Sequence, residues 1–279
     1  MTSGRHRNGK TMKVAILGPR GNLGHALQKY GYIPIDIDIT KGIPYLKGML
    51  EPFDAVINCA AATNLDELET NADKAFAVNY RAVCDIRNAY RGWLIHISTA
   101  YVYGDAVETA HNEEDENYNP LGFYASAKLA ADMYLQTEMQ NTSIVRTTGL
   151  FGGHKHDDLV YRFMNTAVSS APDNLFSQYI HVDVLAECLQ HMLLHQNAKS
   201  EIINIVNSEY LSRFQLLEMV AIYAKINKEI TPKTWQHGYG ADRPRHCKLD
   251  IGKAQGLNMP IGNLKNGIEK LIINHLPEL

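Results

Sequence analysis

A glycine-rich turn near the N-terminus limits the possible folds of this chain more than any other feature. Residues 14–24 read VAILGPRGNLG, in which an apolar run precedes glycines at positions 18, 21 and 24, and a helical pattern follows. Glycine tolerates positive φ and lets the backbone approach a pyrophosphate closely. The free N–H groups at the start of a helix attract phosphate. Gly18, Gly21 and Gly24 therefore predict a dinucleotide-binding turn between a strand and a helix.

Short apolar runs alternate with helical patterns after this turn. Strands are predicted at 14–17, 33–37, 54–58, 93–97 and 143–146, and helices at 22–30, 71–90 and 120–139. Such alternation is typical of a parallel sheet covered by helices on both faces. The predicted fold class is therefore α/β, a doubly wound parallel sheet of the Rossmann type with a smaller C-terminal substrate lobe.

The domain boundaries follow from where this alternation begins and loosens. Residues 1–12 are polar and basic, and we expect a disordered leader there. Residues 13–154 are expected to form the dinucleotide-binding domain. Residues 155–279 are expected to form mainly the substrate lobe, with 179–207 returning to the main sheet.

Composition and charge argue against several classes of protein. No apolar run approaches the roughly 18 residues that a membrane-spanning helix needs, and a formal net charge of −3 disfavours a nucleic-acid binder. The four cysteines form no CxxC pair, which favours a reducing compartment over a disulfide scaffold or a zinc site. The HKHDD run at 154–158 is interpreted as a polar loop. We expect a cytoplasmic protein with no metal, nucleic-acid or membrane partner.

Two charged residues bear on which dinucleotide binds. Asp36 follows the second predicted strand, where a carboxylate can hydrogen-bond the adenosine ribose and repel a 2′-phosphate, which favours NADH. Arg20 lies within the glycine turn and could pair with that phosphate, which favours NADPH. A solvated loop position is the other interpretation of Arg20. NADPH and NADH therefore stay open as alternatives.

A tyrosine and a lysine four residues apart carry the candidate chemistry. Residues 124–128 read YASAK, and this spacing places Tyr124 and Lys128 on one face of a helix. A nearby ammonium lowers the pKa of a phenol from about 10. Tyr124 could then act as a general acid toward a carbonyl that receives hydride. Thr99 ends the fourth predicted strand, where catalytic groups of doubly wound sheets collect, and its hydroxyl could bond the same oxygen.

In combination, these motifs resemble the extended short-chain dehydrogenase/reductase superfamily. The matching stretches are GPRGNLG at 18–24, VINCAAAT at 56–63, ISTAYVYG at 97–104, YASAK at 124–128 and VRTTGLFG at 145–152. Within the superfamily, residues 57–82 and the ADRPRHCKLDIGK segment at 241–253 look most like the dTDP-4-dehydrorhamnose reductase family. The resemblance implies NAD(P)H-dependent reduction of the 4-keto group of a nucleotide-linked 6-deoxy sugar.

The resemblance also implies roles for particular residues. The catalytic residues would be Thr99, Tyr124 and Lys128, with Tyr124 as the general acid. The cofactor would contact the glycine turn, the ends of the next two strands and the catalytic helix, at Gly18, Arg20, Gly21, Asn22, Leu23, Gly24, Asp36, Asp38, Ile39, Ala61, Ala62, Thr63, Tyr124 and Lys128. The substrate, a nucleotide sugar, would lie against Thr99, Ala100, Tyr101 and Gly149. A homodimer is an open alternative to a monomer.

The chain departs from the family pattern at three places around the expected sugar pocket. Ala100 stands where an acid usually follows the catalytic threonine, and Gly149 stands where a tryptophan is usual. The usual DQ-x-G-x-P-T segment is missing, and residues 174–184 read NLFSQYIHVDV instead. Ala100 and Tyr101 also replace the Asp–Glu pair of 4,6-dehydratases, which disfavours water elimination. A nucleotide-sugar 4-epimerase with bound NAD and a non-catalytic regulatory subunit of the same fold stay open as alternatives.

Overall fold

The structure is a computed structural model that describes residues 12–105, 109–153, 158–166, 168–236, 238 and 240–275. The predicted leader lies outside the described residues, except that Met12 is buried in the core. Most of the predicted HKHDD loop, residues 154–157, also lies outside them.

The strands and helices follow the predicted alternation. In chain order the strands are β1 Val14–Leu17, β2 Ile33–Ile35, β3 Ala55–Asn58, β4 Trp93–Thr99, β5 Thr142–Thr147, β6 Leu150–Phe151, β7 Ser170–Pro172, β8 Phe176–Gln178, β9 Ile180–His181, β10 Ile202–Asn204, β11 Tyr210–Ser212, β12 Thr231–Lys233 and β13 His246–Cys247. The helices are α1 Asn22–Gln28, α2 Ile43–Leu50, α3 Leu65–Glu69, α4 Ala72–Phe76, α5 Ala82–Ala89, α6 Gly122–Thr137, α7 Leu159–Asn165, α8 Val182–His195, α9 Arg213–Tyr223, α10 Gly252–Gly256 and α11 Leu264–His275. A π-helical turn, Ala77–Arg81, joins α4 to α5, and a 3-10 turn, Ala100–Tyr103, follows β4.

Within the described residues, six strands form one parallel sheet in the order β10-β5-β4-β3-β1-β2. The strands β1 and β3 are buried along their whole length, as expected for a parallel sheet covered on both faces. On one face the apolar core joins the sheet to α1 and α8, and on the other it joins the sheet to α2, α5 and α6. The predicted doubly wound α/β fold is confirmed.

The order of the strands reverses between β1 and β3. From β1 the chain runs outward to β2 on one side and then returns to β3 on the other. In doubly wound sheets, ligands bind at such a switch point, outside the carboxyl ends of the strands. The glycine turn follows β1, and the segment around Ala61 follows β3, so both lie at this point.

A second group of elements packs beside the carboxyl edge of the main sheet. It contains the small sheet β11-β8-β13, the pair β12-β7, and an apolar cluster built from α7, α9 and α11. Within residues 179–207, β10 pairs with β5 and α8 packs on α1. The division of the chain at residue 154 stays a prediction.

The helices α2, α3, α7, α9 and α10 were absent from the predicted elements. The sequence of α2, IPYLKGML, carries a glycine in its middle, which weakens a helical pattern. Leu46 and Leu50 are fully buried on that helix, so packing against the core stabilises it.

Candidate active site

The glycine turn has no room for side chains at two of its glycines. Gly18 has φ +73°, and a Cβ atom placed there would lie 2.7 Å from the Cα of Ala60. A Cβ on Gly24 would overlap the carbonyl oxygen of Gly18. The turn therefore lies directly against the end of β3, and α1 begins immediately after it, with Gly21 as its N-cap.

Substitution of Gly18 by alanine is expected to destabilise the fold more than the same change at Gly31. Both glycines have positive φ, +73° and +75°, but a Cβ on Gly31 would meet nothing within 4 Å. Each variant therefore has the conformational cost of about 1–2 kcal/mol, and only Gly18→Ala adds a clash worth about 1–3 kcal/mol. Urea denaturation of both variants measures the difference. Equal losses in unfolding free energy would contradict the close approach of the turn to β3.

The first residue of α1 offers an unsatisfied group beside this turn. The side-chain oxygen of Asn22 is buried and has no hydrogen-bond partner among the described residues. Leu23 is buried beneath the turn and belongs to the core. A buried polar atom without a partner is costly in a folded protein unless a ligand or water satisfies it. Asn22 and the open glycine cradle therefore fit a bound dinucleotide.

Arg20 and Asp36, the two charged residues that favour different cofactors, form an ion pair with each other. Arg20 Nε lies 3.1 Å from Asp36 Oδ1, and the two side chains are 83% and 55% exposed. An exposed ion pair contributes about 0–1 kcal/mol. A 2′-phosphate could therefore take Arg20 from Asp36 at little cost, and a free ribose could bond Asp36 with the pair intact.

The remaining predicted cofactor contacts lie along the switch point. Asp38 accepts a 2.6 Å hydrogen bond from the Thr40 hydroxyl, which holds the pKa of Asp38 below its usual value. Ile39 is buried in the core on the sheet face that carries α2. Asn79, in the π-helical turn, bonds both the N–H and the C=O of Ala62 at 2.9 Å. Ala61 is half-buried and Thr63 is exposed.

The candidate catalytic tyrosine lies beside the end of β4. Tyr124 lies in the first turn of α6, and its ring meets the ring of Tyr101 edge to face, with centroids 6.2 Å apart. Thr99 Oγ1 accepts a 3.2 Å hydrogen bond from the Tyr101 N–H, and the Thr99 hydroxyl also hydrogen-bonds the phenol of Tyr124. Burial raises the pKa of Tyr124 above its usual value, and the neighbouring Thr99 side chain acts in the opposite direction.

Lys128 does not have the effect on Tyr124 that was predicted from the spacing. Both residues lie on α6, but Lys128 Nζ lies 2.9 Å from His96 Nε2 and donates to the carbonyl oxygen of Ile97 at 2.7 Å. Burial of Lys128 lowers its pKa to about 8. Burial of Tyr124 is the main reason that the pKa of Tyr124 is raised. The pKa of Tyr124 is raised and not lowered, so the prediction that the ammonium of Lys128 lowers it is wrong.

A cavity lies beside Tyr101 and is lined by residues from both parts of the chain, whereas Tyr124 and Thr99 lie outside its lining. It is formed by Tyr101, Thr148, Gly149, Leu175, Phe176, Ser177, Tyr179, Arg213, Pro244 and Cys247. Gly149 has φ +59°, and a Cβ there would lie 2.7 Å from the Tyr179 ring. Tyr179 therefore occupies the space beside the position where the family pattern has tryptophan. Ala100 is buried and lies outside the lining.

Arg213 is the charged side chain among the described residues that line this cavity. It hydrogen-bonds the phenols of Tyr101 and Tyr179. Near the cavity, Arg243 donates to both carboxylate oxygens of Asp66 at 3.0 Å, and Asp66 also accepts from the Ala241 N–H at 2.8 Å. The hydrogen bond from Arg243 holds the pKa of Asp66 below its usual value. The guanidinium of Arg213 in the lining suits an anionic ligand.

Sequence reasoning brought Thr99 and Tyr124 together but missed several residues of the site. His96, Tyr179, Arg213 and the pair Asp66–Arg243 were not predicted. The ADRPRHCKLDIGK segment, which contains Arg243, was recognised as a matching stretch, so a signal for that residue existed. Tyr179 and Arg213 lie in the part of the chain where no motif was found.

The chain matches one protein family over almost its whole length. Residues 12–276 match the model of the RmlD substrate binding domain family. The dTDP-4-dehydrorhamnose reductase of Mycolicibacterium smegmatis is 28% identical over 169 residues, which cover 58% of this chain and 51% of that protein. The protein of the same name from Shigella flexneri is 24% identical over 275 residues, which cover 88% of this chain and 91% of that protein.

Solved structures agree with the fold. The dTDP-4-dehydrorhamnose reductase of Bacillus anthracis, in complex with NADP, superimposes with a TM-score of 0.85 at 23% identity, covering 95% of this chain and 99% of that chain. No helix in the described ranges is long and apolar enough to cross a membrane. The same ranges contain no group of three or more His, Cys, Asp or Glu residues that could hold a metal ion.

Proposed function

The chain belongs to the RmlD substrate binding domain family, and from that membership we propose that it is an NAD(P)H-dependent oxidoreductase. Its reaction is the reduction of the 4-keto group of a nucleotide-activated 6-deoxy sugar. The observation that carries this proposal is the placement of Tyr124 and Thr99 together at the carboxyl edge of the sheet, beside Tyr101, which lines a cavity that also contains Arg213. Relatives across the family that carry the name dTDP-4-dehydrorhamnose reductase support it.

In the proposed reaction, Tyr124 is the general acid. When bound, the reduced nicotinamide supplies the hydride that reaches C4 of the sugar. Tyr124 gives its phenolic proton to the carbonyl oxygen, and Thr99 donates a hydrogen bond to the same oxygen. The phenolate that remains is reprotonated from solvent. Because burial raises the pKa of Tyr124, the phenol keeps its proton at neutral pH, which is the form that reduction requires.

In the proposed cofactor site, the glycine turn and the switch point hold the dinucleotide. Gly18, Gly21 and Gly24 let the backbone approach the pyrophosphate, and Asn22 offers its unsatisfied side-chain oxygen. NADH and NADPH stay alternatives, because Arg20 and Asp36 exchange partners at little cost.

A screen of 4-keto-6-deoxy sugar nucleotides tests the proposal. Each compound is mixed with the purified protein and with NADH or NADPH, and oxidation of the cofactor is followed by absorbance. We expect oxidation with at least one keto-sugar and none when the sugar is left out. If none of the keto-sugars is reduced, the proposal is overturned. Interconversion of sugars without net cofactor use, by a protein purified with bound NAD, would point instead to an epimerase.

Substitution of Arg213 by methionine is expected to raise KM for the nucleotide sugar about 10-fold or more, with a smaller change in kcat. Arg213 supplies a charge in the cavity, and a charge-assisted hydrogen bond to an anion contributes about 1.5–3 kcal/mol. Steady-state kinetics measure both constants. Arg91→Met is the matched control, since Arg91 is an exposed arginine paired with Glu138. An unchanged KM in the Arg213 variant would remove Arg213 from the substrate site.

A further inference from the structure

A chain of three buried polar side chains lies behind the candidate active site. Asn58 ends β3, His96 lies within β4, and Lys128 lies on α6. Asn58 Nδ2 is 3.1 Å from His96 Nδ1, and Lys128 Nζ is 2.9 Å from His96 Nε2. The three residues are 1%, 0% and 2% exposed, so each polar atom depends on its protein partner.

The direction of each hydrogen bond in this chain is set by a backbone group. The N–H of Ala60 donates to Asn58 Oδ1 at 3.1 Å, so the amide of Asn58 must present its NH₂ group to His96. An NH₂ group only donates, and His96 Nδ1 must therefore accept. Burial lowers the pKa of His96 well below its usual value, so the ring is neutral. A neutral imidazole that accepts at Nδ1 carries its proton on Nε2.

The Nε2–H group points at Lys128, and this restricts the lysine. An ammonium has three donors and no lone pair, whereas a neutral amine can accept. We propose that His96, oriented by Asn58, is a positioning residue that holds Lys128 as a neutral amine in mildly alkaline solution, and that binding of a dinucleotide returns Lys128 to the ammonium form. As the neutral amine, Lys128 accepts the Nε2–H and donates to the Ile97 carbonyl oxygen.

The groups around Lys128 set the pH range in which the amine is neutral. Burial lowers the pKa of Lys128 to about 8, so the neutral amine is the main form above that pH, while Asp132 on its own helix and Cys59 after β3 act in the opposite direction. Asp132 is itself paired with Arg146 of β5, 3.2 Å from Nε to Oδ2, so its charge is largely matched elsewhere. Burial raises the pKa of Cys59 to about 12, so that thiol is neutral.

The inference rests on the proposed function, because it assigns Lys128 a change on cofactor binding. The phosphates of NADPH bring negative charge into the site, and negative charge favours the ammonium form. The amine takes one proton from solvent and becomes an ammonium. The ammonium cannot accept the Nε2–H of His96, so the Lys128 side chain moves away from His96 and toward the cleft. Tyr124 lies on that side, one helical turn away on α6. Cofactor binding is therefore coupled to proton uptake.

Calorimetric titration with NADPH, in buffers that differ in ionisation enthalpy, measures this uptake. At roughly pH 8.5, above the pKa of about 8 of Lys128, most of the lysine is the neutral amine, so the native protein should take up more than half a proton when NADPH binds. In Asn58→Asp the carboxylate accepts from both Ala60 N–H and His96 Nδ1–H, so Nε2 becomes an acceptor and the ammonium is already present. Uptake in that variant should fall to a small fraction of the native value.

Two further variants make the comparison decisive. His96→Gln can offer its side-chain oxygen to the ammonium, and it should also lose most of the uptake, which covers the case in which Asn58→Asp does not fold. Asn88→Asp makes the same chemical change at an exposed position of α5, and it should keep the native uptake. Equal uptake in native protein, Asn58→Asp and His96→Gln would overturn the inference.

Nitrogen NMR of histidine-labelled, ligand-free protein tests the proton position directly. The resonances of His96 are identified by their loss in His96→Gln, and we expect its proton on Nε2. A proton on Nδ1 would overturn the inference. A protein that binds neither NADPH nor NADH would refute the proposed function, and this measurement would still decide the orientation of His96.

Discussion

Replacement of Tyr124 by phenylalanine is expected to lower kcat for keto-sugar reduction by about 10²–10⁴-fold, the usual contribution of a positioned general acid. The ring, its edge-to-face contact with Tyr101 and the fold of α6 are kept, and only the proton donor is removed. The affinity for NADPH should therefore stay close to the native value. Steady-state kinetics with a keto-sugar and a fluorescence titration with NADPH give the two quantities.

Tyr134→Phe is the matched control for this experiment. Tyr134 lies on the same helix and donates its hydroxyl to exposed Asn88 at 2.9 Å, far along α6 from the cavity. That variant should keep native kcat. If Tyr124→Phe turned over at the native rate, another group would have to protonate the sugar oxygen, and the general-acid role of Tyr124 would fail.

Replacement of Arg146 by methionine is expected to lower the free energy of unfolding by about 3–5 kcal/mol, which is the usual cost of leaving one charge of a buried pair alone. Arg146 on β5 and Asp132 on α6 are both completely buried, with Nε and Oδ2 3.2 Å apart. Arg146 also donates to the hydroxyls of Tyr103 and Tyr118. Without it, Asp132 would stay in the core without the guanidinium that is its main charge partner. Urea denaturation at neutral pH measures the loss.

The double variant Arg146→Met with Asp132→Leu separates a lost charge partner from lost packing. Replacing both members of a buried ion pair by apolar groups is often close to neutral, so most of the lost stability should return. A single variant that loses less than about 1 kcal/mol, or a double variant no more stable than the single one, would show that the pair is not what holds α6 against β5.

The prediction of the fold succeeded where the signal is local. The apolar runs of β1, β3 and β5 are fully buried strands, as their composition indicated. The predicted helix at 71–90 is one helical stretch, but it contains a π-helical turn at 77–81 that periodicity did not indicate. Within that turn, Asn79 bonds both backbone groups of Ala62, a contact between residues 17 positions apart that the local sequence does not indicate. The helix α2 was missed because the core, rather than its own sequence, stabilises it.

The candidate site could be predicted only in part. Thr99 and Tyr124 were brought together because catalytic groups at the ends of parallel strands share one edge of the sheet. The partner of Lys128 was not predictable, because His96 precedes it by 32 positions and faces it only after β4 and α6 have packed. The same holds for Gly149, whose missing side chain makes room for the ring of Tyr179.

By itself, the amino-acid sequence determined the alternation of strands and helices from β1 to β5, the glycine turn and the candidate reacting groups, because these depend on neighbours within a few residues. Only the tertiary structure decided which charges and donors meet. Arg243 and Asp66 stand 177 positions apart, and Arg146 reaches Asp132 from another element. The pairing of Arg146 with Asp132, like the protonation of Lys128 and Tyr124, depends on burial, which excludes water and makes each polar group depend on the partner that packing places beside it.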